Sequence, residues 1–147
     1  MMRRQAAFTL IEVILVLVIG AATYVLVLGM PMRGASTADL KAAARALAAG
    51  LREAQTMAMA TKRDTALTLD LDTREYTVTG DQALRQVPKE LELKLFTAQS
   101  EVTGEKRGAI RFYPDGSSTG GRITVSSGER KYLVDVDWIT GRVSITD

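Results

Sequence analysis

From Val13 through Met32 the chain runs for twenty residues without a charged side chain. Adding Phe8 to Ile11 extends the stretch to 25 positions whose only charge is Glu12. A helix of about 20 apolar residues crosses the hydrocarbon core of a bilayer, so this segment is expected to insert in a membrane. It exceeds the short apolar region of a cleaved secretory signal. Glu12 near its head also fits that template badly, because a carboxylate in lipid is costly and normally has a partner or a function. The basic residues Arg3 and Arg4 precede the run, but Arg33, Lys41 and Arg45 follow it. The charge bias therefore does not decide orientation.

Within 147 residues this leaves room for one modest domain after the apolar segment. Lys+Arg 19 against Asp+Glu 17 gives a net charge of +2, without the basic surplus of a duplex-binding surface. Cysteine and histidine are both absent. Disulfide frameworks, thiol nucleophiles, imidazole bases and ordinary zinc sites are thereby excluded. A membrane-anchored hydrolase would need a nucleophile and base that the sequence does not offer.

The leader Met1-Met2-Arg3-Arg4-Gln5-Ala6-Ala7, followed by Phe8-Thr9-Leu10-Ile11-Glu12-Val13 and the apolar run, resembles the prepilin signal of type IV pilins and type II secretion pseudopilins. The resemblance implies cleavage by a prepilin peptidase between Ala7 and Phe8 on the cytoplasmic side, followed by N-methylation of Phe8. The family usually has Gly before the cut, and Ala7 departs from that. Glu12, one helical turn beyond Phe8, is implied to meet the amino-terminal ammonium of a neighbouring subunit during assembly. Two charges that are each expensive in lipid then neutralise one another. Removing residues 1–7 takes away Arg3 and Arg4 and no acid, leaving basic and acidic side chains equal in number. The basic excess thus belongs to the leader.

Gly29, Pro31 and Gly34 predict a kink or break after the apolar run. Ser36-Thr37-Ala38-Asp39 has the capping-box form. Leu40, Ala44, Leu47, Leu51, Ala54 and Ala58 then mark one apolar face of a helix over about 37–61. That face could form an oligomer seam; packing on the chain's own sheet is the simpler reading. Beyond Arg63 the period changes to two. Strands are expected around 67–71, 75–79, 91–95, 109–113, 122–127, 131–138 and 142–146, with turns at Asp115-Gly116, Gly128-Glu129 and Thr140-Gly141. The segment between Gly80 and Pro88 has no clear pattern. A long helix followed by strands is an α+β arrangement, with the helix on antiparallel sheet.

The stretch Ile110 to Ile123, with Phe112-Tyr113-Pro114-Asp115-Gly116-Ser117 and the glycine pair Gly120-Gly121, resembles the turn and glycine-rich connection of the H-type minor pseudopilins, a feature shared by some type IV minor pilins. Val136 to Val143 is similar to the closing hairpin of that domain. The glycine-rich loop is not read as a phosphate cradle, because it joins strands and carries Asp115. Asp135 and Asp137 are read as the wet side of an amphipathic strand opposite Tyr132, Val134, Val136 and Trp138. The turn residues Pro114, Asp115, Gly116, Gly120 and Gly121 are therefore structural candidates.

The resemblance implies a pilin-like fold with a leader (1–7), a membrane and filament-core helix (8–32) and a periplasmic domain (33–147). It implies a minor pseudopilin near the pseudopilus tip, anchored in the bacterial inner membrane, that supports export of folded proteins through the outer membrane. The implied partners are other minor pseudopilins, the major pseudopilin, the prepilin peptidase and the inner-membrane assembly platform. No catalytic residue, metal, cofactor or nucleic acid is implied. The alternative is a type IV minor pilin acting in pilus assembly, DNA uptake or adhesion.

Overall fold

The computed structural model describes residues 9–28 and 35–147, with side chains described at 9–24 and 35–147. The expected break at Gly29, Pro31 and Gly34 lies outside the described residues, as do Ala7 and Phe8. Two compact units are present, one ending at Arg33 and one running from Gly34 to Asp147.

In the first unit, helix α1 spans Leu10–Leu28. Its described side chains, Leu10 through Tyr24, are all exposed. Among the described residues no helix is long and apolar enough to cross a membrane. The side chains described on α1 stop at Tyr24, while the uncharged run in the sequence continues to Met32.

The second unit begins with α2 (Thr37–Thr61), which starts where it does because Ser36 is an N-cap. The Ser36 hydroxyl accepts from the Asp39 N–H at 3.1 Å, and the Asp39 carboxylate accepts from the Ser36 N–H at 3.1 Å, so two orphan donors of the first turn are satisfied reciprocally. Leu40, Ala44, Leu47, Leu51, Ala54 and Ala58 are all buried. The stripe packs on the chain's own sheets, and its alanines let the strands approach the helix closely. Burying Leu40, Leu47 and Leu51 contributes about 2 kcal/mol each.

Eight strands follow: β1 (Thr65–Asp70), β2 (Glu75–Val78), β3 (Arg85–Gln86), β4 (Glu92–Thr97), β5 (Arg107–Phe112), β6 (Gly121–Ser127), β7 (Arg130–Val136) and β8 (Val143–Thr146). They form two antiparallel sheets, ordered β3-β2-β1-β5 and β4-β6-β7-β8. In the first, Leu67 pairs with Val78 and Ile110; in the second, Ile123 pairs with Leu95 and Val134. Helix α2 packs against strands of both sheets, so one core, centred on Phe112, Leu67, Ile110, Ile123 and Val134, serves them together.

Two expectations change. The unassigned segment after Gly80 contains the two-residue strand β3, fixed by Arg85, whose guanidinium bonds Glu53 of α2 at 2.9 Å and Asp81 at 2.7 Å. A two-residue strand is too short to leave a periodic signal. The strand expected to reach Trp138 ends at Val136. The Asp137 N–H still donates to the Arg142 carbonyl at 3.0 Å while its carboxylate caps the turn that follows, and Trp138 is 66% exposed rather than facing the core.

Candidate functional site

Two regions bear on function. The first is the head of α1. The Glu12 N–H donates to the Thr9 carbonyl at 3.0 Å and to the Thr9 hydroxyl at 3.3 Å. Thr9 thus caps the first turn, and Glu12 stands at the third helical position, where a carboxylate is favoured by the exposed N–H groups of the helix start. The spacing Thr9-x-x-Glu12 is itself the capping-box pattern.

The second region is a joint between two turns. The Tyr113 N–H donates to the Ser117 carbonyl and the Gly116 N–H to the Tyr113 carbonyl, both at 2.9 Å, closing the loop over Pro114 and Asp115. Asp115 accepts from the Ser117 hydroxyl at 2.6 Å and from its N–H at 3.0 Å. Those donors, the hydroxyl foremost, hold the Asp115 carboxyl below its ordinary range. In the partner turn, Asp137 accepts from the Thr140 N–H at 2.8 Å, the Thr140 hydroxyl at 2.9 Å and the Ile139 N–H at 3.0 Å. Its carboxyl is lowered as well, chiefly by the Thr140 N–H.

Gln55 of α2 ties the two turns together. Its Nε2 donates to the Gly116 carbonyl at 2.9 Å and to the Thr140 carbonyl at 3.1 Å. The contact is close enough that Gly141, at φ +63°, has no room for a side chain: a Cβ there would lie 2.1 Å from the Gly116 oxygen. On the far side of the loop the Ser118 N–H donates to the Trp138 carbonyl at 2.9 Å, and the Ser118 hydroxyl bridges the Arg111 carbonyl at 2.7 Å and the Gly120 N–H at 3.0 Å. Gly121 lets β6 start close beside β4, opposite Thr97, since a Cβ would meet the Phe96 oxygen at 2.8 Å.

Pro114, Asp115, Gly116, Gly120 and Gly121 are therefore gathered into one joint with the Asp137–Gly141 turn. Asp135 lies apart from it, paired across the ladder with Arg122 at 2.5 Å. Asp115 and Asp137 each accept from the N–H and the hydroxyl of one residue in their own turn, Ser117 and Thr140, and so act as turn caps. Among the described residues no group of three or more acidic side chains converges as a metal site would require. Sequence reasoning missed Gln55, whose only signal is an amide at the edge of an apolar helix face. It also missed Glu101, in the 3-10 turn Gln99–Glu101, which forms a two-pronged pair with Arg111 at 2.9 and 3.1 Å. The contact raises the Arg111 pKa, with the Glu101 hydrogen bond as the main cause.

Comparison with known proteins gives concordant results. The family model described as type II transport protein GspH matches residues 43–141, and that of the prokaryotic N-terminal methylation motif matches residues 2–22. A type II secretion system protein H of Xanthomonas campestris pv. campestris is 34% identical over 141 residues, covering 96% of this chain and 83% of the relative. Among solved structures, the minor pseudopilin EpsH from the type 2 secretion system of Vibrio cholerae aligns with a TM-score of 0.58 at 15% identity, over 74% of this chain and 96% of its own. The type IV minor pilin FimU of Pseudomonas aeruginosa aligns with a TM-score of 0.57 at 14% identity, over 74% and 93%. At these identities the structural likeness establishes the fold alone.

Proposed function

Since the chain belongs to the type II transport protein GspH family, we propose that it works as a minor pseudopilin near the tip of the pseudopilus, made as a precursor that is cut between Ala7 and Phe8 and methylated on Phe8. The observation that carries this reading is the pairing, in one chain, of the methylation motif at residues 2–22 with the GspH family match at 43–141. As a pseudopilus component it works with other pseudopilins. The prepilin peptidase would process it, and the inner-membrane platform would receive it. Its role is structural, and the anchoring segment would be the uncharged run through Met32, with the unit from Gly34 in the periplasm.

Glu12 suits the assembly role for a physical reason. In the isolated chain its backbone is fixed by Thr9 and its side chain is exposed, so the carboxylate is free to take a neighbour's ammonium as two helices come into register. The capped start of α1 presents it from a rigid turn. FimU matches the fold about as well as EpsH, so the fold does not separate secretion from pilus. The relative at 34% identity is a secretion protein, and it favours the secretion reading.

Mass spectrometry of the mature amino terminus tests the processing. The expected species lacks Met1–Ala7 and carries a methyl group on Phe8; an intact leader or a cut beyond Ile19 would overturn it. Replacing Glu12 with Ala should leave membrane insertion intact and impair incorporation into the filament. Normal incorporation of that variant would remove Glu12 from the mechanism.

A further inference from the structure

Ala35 follows Met32, the last residue of the uncharged run, by three residues, and three residues of chain span at most about 11 Å whatever their conformation. The headgroup layer on each side of a bilayer is itself about 5–8 Å deep. With the run anchored as proposed above, the start of α2 is therefore tethered within reach of the lipid headgroups. The turn between β6 and β7 is pinned to the same place. The Ser127 hydroxyl donates to the Ala35 carbonyl at 3.3 Å, and the Arg130 guanidinium donates to the Thr37 hydroxyl. Beside these bonds opens a pocket of about 410 Å³, lined by Thr37, Glu129, Arg130, Lys131, Tyr132 and Asp147.

The charges of this pocket are held apart. Among the described residues the six ion pairs all lie elsewhere in the unit, so Arg130, Lys131, Glu129 and Asp147 line one pocket without neutralising each other. A ligand with a single sign of charge would be repelled by half of that lining. A zwitterion answers both halves. A phosphodiester accepts charge-assisted bonds from guanidinium and ammonium groups, and a primary ammonium donates them to carboxylates. Tyr132 adds a ring with an apolar body and a polar tip, the kind of side chain that sits at a membrane–water boundary.

We propose that this pocket binds the phosphoethanolamine headgroup of a membrane lipid, in the leaflet from which the chain emerges after Met32. Arg130 and Lys131 take the phosphate, and Glu129 and Asp147 take the ammonium. Binding seats the β6–β7 turn on the bilayer surface and so restrains the unit from Gly34 beside its own anchor. The proposal rests on the anchoring stated under the proposed function, and the test separates the two.

Anchoring is scored first, by resistance of the full chain in liposomes to alkaline carbonate extraction. A chain that carbonate extracts would overturn the anchoring and this proposal with it. Headgroup choice is then read by native mass spectrometry of the full chain released from maltoside micelles doped with equal amounts of phosphatidylethanolamine, phosphatidylcholine and phosphatidylglycerol of the same acyl chains. Choline keeps the phosphate but offers no N–H, and the glycerol headgroup carries no cation. The parent chain should retain the ethanolamine lipid roughly tenfold over either, as one hydrogen bond to a charged group allows. Glu129→Gln with Asp147→Asn should erase the preference over choline and shift retention towards the glycerol lipid. Arg130→Gln with Lys131→Gln should lower retention of all three lipids. These four positions are exposed, so both double variants should keep the parent's thermal midpoint. An anchored parent that retains the three headgroups equally, or a pattern that either double variant leaves unchanged, would overturn the proposal and leave the anchoring standing.

Discussion

Replacing Gly141 with Ala separates two costs that the joint combines. Gly141 has φ +63° and Gly128 has φ +60°, so an Ala at either position carries the same left-handed backbone penalty, about 1 kcal/mol. Their surroundings differ. A Cβ at Gly128 meets nothing within 4 Å, whereas one at Gly141 would fall 2.1 Å from the Gly116 oxygen and 2.4 Å from Gln55 Nε2. No rotamer relieves a clash with a backbone oxygen, so the two turns must part. Gln55 then loses both of its bonds, at about 1 kcal/mol each. Gly141→Ala should therefore cost about 3 kcal/mol and Gly128→Ala about 1 kcal/mol. For a unit of this size those values correspond to losses of roughly 12 °C and 4 °C in Tm. Thermal unfolding of the full chain in detergent can be followed by the fluorescence of Trp138, the single tryptophan, which lies in the turn itself. A Gln55→Ala change should cost about 2 kcal/mol alone and far less on the Gly141→Ala background, where its bonds are already lost. Equal losses for the two glycine variants, or full additivity with Gln55→Ala, would refute the reasoning.

Asp115, Asp137 and Asp70 all have carboxyls lowered by hydrogen-bond donors, led by Ser117, Thr140 and Thr73 respectively. Their folded pKa values lie below the unfolded ones, so their stabilisation is complete above about pH 4 and is lost as pH falls through the folded values. Urea midpoints measured from pH 6 down to pH 2 should fall less steeply below pH 4 for Asp137→Asn than for the parent. The pair between Glu101 and Arg111 should respond asymmetrically, because the Glu101 side chain is 8% exposed and that of Arg111 is 37% exposed. Arg111→Met strands a buried carboxylate and should cost about 3 kcal/mol, while Glu101→Gln leaves a guanidinium that water can reach and should cost about 1 kcal/mol. Urea unfolding at neutral pH gives both, and equal costs would contradict the burial argument.

What the sequence made legible follows the range of each interaction. The capping box at Ser36 and the apolar face of α2 depend on residues three or four apart, and both are readable by spacing. Strand alternation is likewise local, and it found the ladders of β1 and β6. The joint is different in kind. Asp115-Gly116 and Thr140-Gly141 are visible as turns, but Gln55 lies 61 residues from Gly116 and 85 from Thr140, and no local pattern links them. The same limit explains Trp138. Alternation continues through it in the sequence, yet the paired strand ends at Val136: the Asp137 N–H still reaches the Arg142 carbonyl, but its own carbonyl accepts from the Gly141 N–H and its carboxylate caps the turn, so the chain reverses before Trp138. The turn's own bonds are local, and what is tertiary is its docking, through Gln55, on the Gly116 loop. The glycines record this coupling indirectly. Gly141 is required by an oxygen belonging to a loop 25 residues earlier. Its identity can be read from the chain as a turn signal, but the reason it cannot be replaced exists only once the two turns have met.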